Sequence, residues 1–373
     1  MFRVSQTNQQ KCNSNSSLLY NHKYKKIRTM ATHHTAIPIK PGEMASSDFY
    51  RDKYAHFSIH EETLKDQVRT LAYRNAILQN IHLFKGKTVL DIRCGMGLMS
   101  MMAARAGAAR VIGVDCSNVI DHAREIVKAN RLGHVITLIK GKMEAIELPG
   151  CIKQVDIIIS DWMGQCLFNG AILSTVIYAR NKWLKPKVGI MFPDRCSLFV
   201  AAIEERERKD EKINWWDDVY GFDMSAIRKD AINEPQVNEV DPGQIVTNSY
   251  LIKEINMYTV VWQDCNFVSP FHLKAMRNDF VQALVTYFNV EFTKCQGRLA
   301  VSTSPDSPFT HWKQTVFFLD EFLTVKNGEE IHGTFAIKLN GRKQNRELEI
   351  DIDVRFEGEL SQVTESNHYR MRS

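Results

Sequence analysis

The sequence predicts an α/β protein in two parts, a doubly wound parallel sheet followed by an antiparallel β-barrel or sandwich with a helical arm. Three observations predict it. Between about residues 88 and 183, short apolar runs alternate with helical stretches, and strands apolar on both faces belong to parallel sheets covered by helices. After about residue 193 the runs alternate instead. In LEIDIDVRF (348–356), Leu348, Ile350, Ile352, Val354 and Phe356 share one face. Between these regions, 204–240 is charged and helical in pattern, with an apolar island of Trp215, Trp216, Val219, Tyr220 and Phe222.

Taken in order, 1–46 is polar, rich in Asn, Ser, Gln, Lys and Thr, and reads as a disordered tail. Its basic run Lys23, Lys25, Lys26, Arg28 reads as solvated charge rather than a nuclear address. Leu64, Val68, Leu71 and Leu78 recur at helical spacing. TVLDI (88–92) is a strand, followed by Gly95, Gly97 and a helix to Ala106. RVIGV (110–114) is the next strand, ending at Asp115 before a helix near 117–131. VITLI (135–139) and VDIIIS (155–160) follow, then DWMG and a helix over 172–183. HWKQTVFFL, GTFAIKL and ALVTYFNVEF are strands of the second part. The boundaries are therefore 47–192 for the first domain and 193–373 for the second.

Composition narrows the function classes. A chain of 373 residues, 44% hydrophobic and 24% charged, can bury a large core and matches about two domains. A net charge of +5 gives nucleic-acid binding little support, and none is expected. The eight cysteines have no paired or zinc-ligand spacing, which fits reduced thiols in a cytoplasmic or nuclear protein and no metal. No apolar stretch of about 18 residues suggests a membrane span, and no apolar segment precedes a cleavage site as in a secretory signal.

A strand, a glycine-containing turn, a helix and an acid closing the next strand form a nucleotide-binding arrangement. Here the turn is DIRCGMG and the acid is Asp115. Alone, it is compatible with NAD, S-adenosylmethionine or no ligand.

The blocks YAHFSIHEETLKDQVRTLAYR (54–74), VLDIRCGMG, IGVDCS, GKMEAIELP, SDWMGQCLF and SPFTHWKQTVF occur in a family-specific order. From about residue 47 onward the chain resembles the type I protein arginine methyltransferases. The resemblance implies a Rossmann-like domain that binds S-adenosylmethionine, a barrel domain, and arginine-rich protein substrates or partners. It also implies cofactor contacts. His60 and Arg69 correspond to the helical pair on the methionine part, Asp91 and Gly95 to the glycine loop, and Asp115 to the ribose-binding glutamate, one methylene shorter. Met143 and Glu144 match the adenine-contacting pair, and Thr175 a further contact. Arg93 stands where the family has a glycine. A positive φ there would cost about 1–2 kcal/mol in a non-glycine residue, and weakened cofactor binding is expected.

Arginine methylation needs help because guanidinium stays protonated and its nitrogens are poor nucleophiles. Two buried carboxylates can grip the fork, polarise it and aim one nitrogen. In the family these are glutamates on the loop after the fourth strand, and a histidine in THW closes the pocket. By resemblance the first acid is Asp161, one carbon short, and the second position is Gly170, without a carboxylate. His311 and Trp312 of THW survive, as do Trp162 and Met163. Tyr50 and Tyr54 match the lid aromatics, and Thr63 replaces a methionine of the acceptor pocket. The segment at 204–240 resembles a dimerisation arm, implying a homodimer or a heterodimer with a related methyltransferase. The sequence leaves two readings, a weakly active arginine methyltransferase and a silent relative that pairs with an active protomer or binds arginine-rich proteins. A small-molecule methyltransferase is disfavoured by THW, the arm and the barrel strands.

Overall fold

The computed structural model describes residues 57–339 and 348–372. The expected tail and the lid tyrosines Tyr50 and Tyr54 lie outside the described residues. The chain opens with helices α1 (Phe57–Lys65), α2 (Gln67–Leu78) and α3 (Ile81–Phe84), then enters a parallel sheet. That sheet and its helices run β1 (Thr88–Ile92), α4 (Leu98–Arg105), β2 (Arg110–Asp115), α5 (Val119–Ala129), β3 (Ile136–Lys140), β4 (Ile157–Ser160), α6 (Leu173–Trp183) and β5 (Ile190–Phe192).

The strand order is β3-β2-β1-β4-β5, and every pairing is parallel. Val89, Leu90 and Ile92 on β1 and Ile157, Ile158 and Ile159 on β4 are fully or almost fully buried, because helices cover both faces. Chain order reverses between β1 and β4. In such sheets the crevice beyond the carboxyl ends of the strands at this point is where ligands bind. The DIRCGMG turn, Asp115 and Asp161 all leave the sheet at that end.

The Leu64, Val68, Leu71, Leu78 stripe is not the buried face of the opening helix. Leu64 and Leu71 are exposed, and α2 buries Arg69, Tyr73, Ala76 and Ile77. The cause is Asp66, which caps α2 through the Arg69 N–H and breaks the run into two helices with separate faces.

The second part continues with β6 (Arg195–Ile203), α7 (Arg206–Lys212), α8 (Arg228–Ile232), β7 (Gln236–Asn238), β8 (Tyr250–Asn256) and β9 (Phe267–Lys274). It ends with β10 (Asp279–Glu291), β11 (Ala300–Ser302), β12 (Gln314–Val325), β13 (Glu330–Leu339), β14 (Leu348–Glu357) and β15 (Gln362–Met371). One sheet runs β7-β12-β10-β6-β8 with β11 on β10, and the other runs β15-β14-β13-β9. Every pairing in both is antiparallel. They bury their facing sides together, with Phe317 edge-on to Phe335 at 5.6 Å and to Tyr369 at 5.2 Å. Leu348, Ile350, Ile352, Val354 and Phe356 are the inward face of β14.

The two parts share a seam. Phe292 packs against Tyr73 at 5.1 Å and Phe192 at 5.9 Å. Asn80 of the first part accepts the Gln296 N–H of the second at 2.7 Å.

The arm is less helical than its charge pattern suggests. Only α7 and α8 are α-helix, joined by two short 3-10 turns and a tight reversal. There Asp218 accepts the Gly221 N–H at 2.7 Å, and Tyr220 and Gly221 take left-handed φ of 55° and 88°. Its root is fixed by Lys209, whose buried ammonium donates to the carbonyls of Leu319 (2.9 Å) and Asp320 (3.0 Å) on β12.

Candidate active site

At the reversal point lies a cleft lined by α1, α2, the DIRCGMG turn, the DWMG loop and His311. It gathers His60, Arg69, Asp91, Gly95, Asp115, Asp161, Trp162, Met163, Gly170 and His311 from five separate stretches of sequence. Arg93 and Thr63 also line it.

The glycine turn is built from left-handed residues. Gly95 and Gly97 have φ of 51° and 82°, and so does Arg93, at 56°. The expected strain at Arg93 is therefore present. Replacing Arg93 with glycine removes that strain but adds unfolded-state freedom, so stability is expected to rise by about 1 kcal/mol or less. Thermal denaturation checks this, and a fall in Tm would show that the Arg93 side chain holds the turn.

The acids at the strand ends differ. Asp91 is buried, which pushes its pKa up to about 6, while the Ser100 hydroxyl donates to it at 2.6 Å and pulls the other way. Asp115 is drawn onto its own loop. One oxygen accepts the Gly95 N–H at 3.0 Å, and the other accepts the Ser117 N–H at 2.8 Å and hydroxyl at 2.7 Å. The short side chain thus braces the glycine turn.

Asp161 follows β4 and is already paired. Arg69 donates to its Oδ2 from Nε at 2.8 Å and lies at 2.5 Å from it through Nη2. Among the described residues, the buried Asp161 Oδ1 has no hydrogen-bond partner. The guanidinium lies 5.4 Å from the centre of the Tyr73 ring, and the Tyr73 hydroxyl donates to the Ser160 carbonyl at 2.9 Å. Sequence reasoning assigned Arg69 and Asp161 to different ligands. The fold joins them.

The DWMG loop needs its glycine. A Cβ on Gly164 would stand 1.8 Å from the Asn169 carbonyl oxygen. Gly170 is different: its φ is 70°, and no heavy atom of the described residues lies within 4 Å of where its Cβ would stand. The position lines the cleft.

Asp66 was not singled out from sequence, yet it organises the barrel side of the cleft. It accepts the Arg69 N–H at 2.9 Å and the His311 N–H at 2.9 Å, and its Oδ2 meets His311 Nδ1 at 2.7 Å. Burial pushes its carboxyl pKa up, but the His311 ring and these two amides outweigh it, so the pKa is lowered overall. An aspartate three residues ahead of Arg69 at a helix start is an N-cap signature that could have flagged it. Tyr73, also lining the cleft, carried no such signal.

Four predicted residues stand apart from the cleft lining. Met143 is buried in the core on the turn after β3. Exposed Glu144 accepts the Thr175 hydroxyl of α6 at 2.9 Å, so these two predicted contacts bind each other. Trp312 is buried behind His311, ring centres 4.4 Å apart, and donates to the Met163 carbonyl at 3.4 Å.

Residues 194–359 match the arginine methyltransferase oligomerization subdomain, and 89–187 match a methyltransferase domain. Protein arginine N-methyltransferase 8-B of Danio rerio is 54% identical over 90% of this chain and 79% of its own length. Protein arginine N-methyltransferase 1 of Caenorhabditis elegans is 51% identical over 88% and 94%. Among solved structures, the Trypanosoma brucei PRMT1 enzyme–prozyme heterotetrameric complex with AdoHcy superposes with a TM-score of 0.83 at 42% identity, covering 86% of this chain and 100% of that one. Arabidopsis thaliana protein arginine methyltransferase 10, in an open conformation, gives 0.76 at 29% identity, covering 86% and 99%. With 54% identity sustained over 90% of its length, on a fold that places an acid, a histidine and a glycine turn around one cleft, the chain belongs to the protein arginine N-methyltransferase family.

Proposed function

We propose that this chain is a type I-like, S-adenosylmethionine-dependent protein arginine N-methyltransferase of reduced turnover. The observation that carries the reading is the cleft itself, which is lined by one acid of the expected pair, Asp161, by His311, and by Gly170 where a second acid belongs. The cofactor fits the residues present, which include a buried cation, Arg69, and the acids Asp91 and Asp115 at the ends of adjacent strands. When bound, it supplies a methyl group on a sulfonium, ready for transfer to a nucleophile.

The chain's own residues do the rest. Arg69 would hold the cofactor carboxylate, Asp91 and the Gly95 loop its amino-acid part, and Asp115 its ribose hydroxyls. Met143, Glu144 and Thr175 would flank the base. Any cation bound by Asp161 competes with Arg69 for the same carboxylate, so an anionic ligand that occupies Arg69 loosens Asp161 for a substrate guanidinium. Asp66 fixes His311 through its Nδ1 and its backbone N–H, leaving Nε2 as the ring's other nitrogen. Trp162 and Met163 with Trp312 shape the acceptor side.

The altered acid pair also favours a second reading, a silent protomer that pairs with an active relative. The arm supports association in either case. Trp215, Tyr220, Phe222, Met224 and Ile227 are all exposed on it, an apolar patch of the kind that marks an interface. Calorimetric titration with S-adenosylmethionine, followed by mass spectrometry of an arginine–glycine-rich peptide, tests the choice. Binding with slow methylation is expected, and binding with none would establish the silent reading. Replacing Tyr220 and Phe222 together with serine is expected to convert a dimer to monomer in light scattering. A dimer unchanged by that pair of substitutions would remove the arm from the interface.

A further inference from the structure

We propose a surface site for a divalent transition cation of the zinc class on the outer face of the β15-β14-β13-β9 sheet, formed by His272, Glu330 and His332. His272 on β9 and His332 on β13 are direct cross-strand partners, and their rings stack at 4.6 Å with only 3° between planes. Both turn Nε2 toward one carboxylate oxygen. Glu330 Oε2 lies 3.1 Å from His272 Nε2 and 3.7 Å from His332 Nε2. One donor atom from each residue falls within 4.8 Å of the other two.

Two features favour a metal over a plain ion pair, once the parallel rings rotate so that both Nε2 atoms converge on one point. The two nitrogen–oxygen separations bracket the edge of a tetrahedron with zinc–ligand bonds of about 2.0–2.1 Å, roughly 3.3 Å. The donor set is two imidazoles and one carboxylate without sulfur, which suits zinc, copper or nickel rather than calcium. Neighbouring charges leave the carboxylate to the histidines. Lys274 is the strand partner of Glu330, yet Glu330 Oε2 faces the two imidazoles. On β14, Arg355 is held by Glu357 at 2.6 Å in the same groove. Three protein ligands leave one position for water. An occupied site would clip β9 to β13.

Cobalt(II) titration of the full-length reduced chain, followed by visible absorption and then displacement with zinc chloride, tests the site. One equivalent is expected to bind with a nitrogen–oxygen ligand-field spectrum and no thiolate charge-transfer band. His272→Ala and His332→Ala are each expected to weaken binding by at least about tenfold, since even outer-shell changes cost that much. Glu330→Gln keeps the side chain's shape and is expected to weaken it similarly, so it carries the test if a histidine variant misfolds. Thermal denaturation in EDTA verifies that each variant is folded. Undiminished binding in these variants, a thiolate band, or no binding at millimolar cobalt would overturn the proposal.

Discussion

Replacing Asp161 and Gly170 together with glutamate is expected to raise kcat/KM on an arginine–glycine-rich peptide on the order of a hundredfold to ten-thousandfold. A charge-assisted hydrogen bond contributes roughly 1.5–3 kcal/mol, and each 1.36 kcal/mol is about tenfold in rate. The double change adds one carboxylate and extends another by a carbon. Gly170 can accept the side chain sterically so far as the described residues go, since none places a heavy atom within 4 Å of the Cβ position. Its φ of 70° costs a non-glycine residue about 1–2 kcal/mol of stability, which a protein of ordinary stability tolerates. Single-turnover methylation measured by mass spectrometry checks the result. A rate within threefold or so of the unmodified chain would move the deficit elsewhere, with Arg93 in the glycine turn the next position to restore.

Arg69→Met is expected to destabilise the fold by about 3 kcal/mol, the low end for breaking a buried ion pair, because the cleft admits water. The substitution leaves Asp161 with one buried oxygen already unpartnered among the described residues and the other newly so. A loss of that size lowers Tm by several degrees in a chain this long. Adding Asp161→Asn to Arg69→Met is expected to recover much of the loss, since the stranded charge is then gone. The double-mutant cycle in thermal denaturation measures the coupling directly. Additive losses would mean that Arg69 stabilises α2 through Tyr73, Thr63 and Thr70 rather than through the acid. The same variant is expected to lose cofactor affinity, which calorimetry reads independently of stability.

The layers of the fold were legible because each left a periodic signature. Apolar runs in the parallel sheet were continuous, and those of β14 alternated without a break. Both patterns follow from how many faces of a strand are covered. The opening helices were misread for a local reason. One capping aspartate, Asp66, resets the helical phase, and a periodicity reading that runs across it picks Leu64 and Leu71, which the fold leaves exposed. The arm's charge suggested more helix than forms, because the reversal around Tyr220 and Gly221 is set by turn chemistry rather than by amphipathic spacing.

Sequence alone determined the residue types that set the chemistry. It placed an aspartate at 161, a glycine at 170 and an arginine at 93. Only the tertiary structure decided which of these groups meet. It joins Arg69 to Asp161, ties Asp66 to His311 across 245 positions of chain, folds Asp115 back onto Gly95, and pairs Glu144 with Thr175. Covalent order fixes composition and local dihedral preference. A charge's partner depends on which side chains the packed sheet ends bring within hydrogen-bonding distance, and the linear pattern carries no record of that.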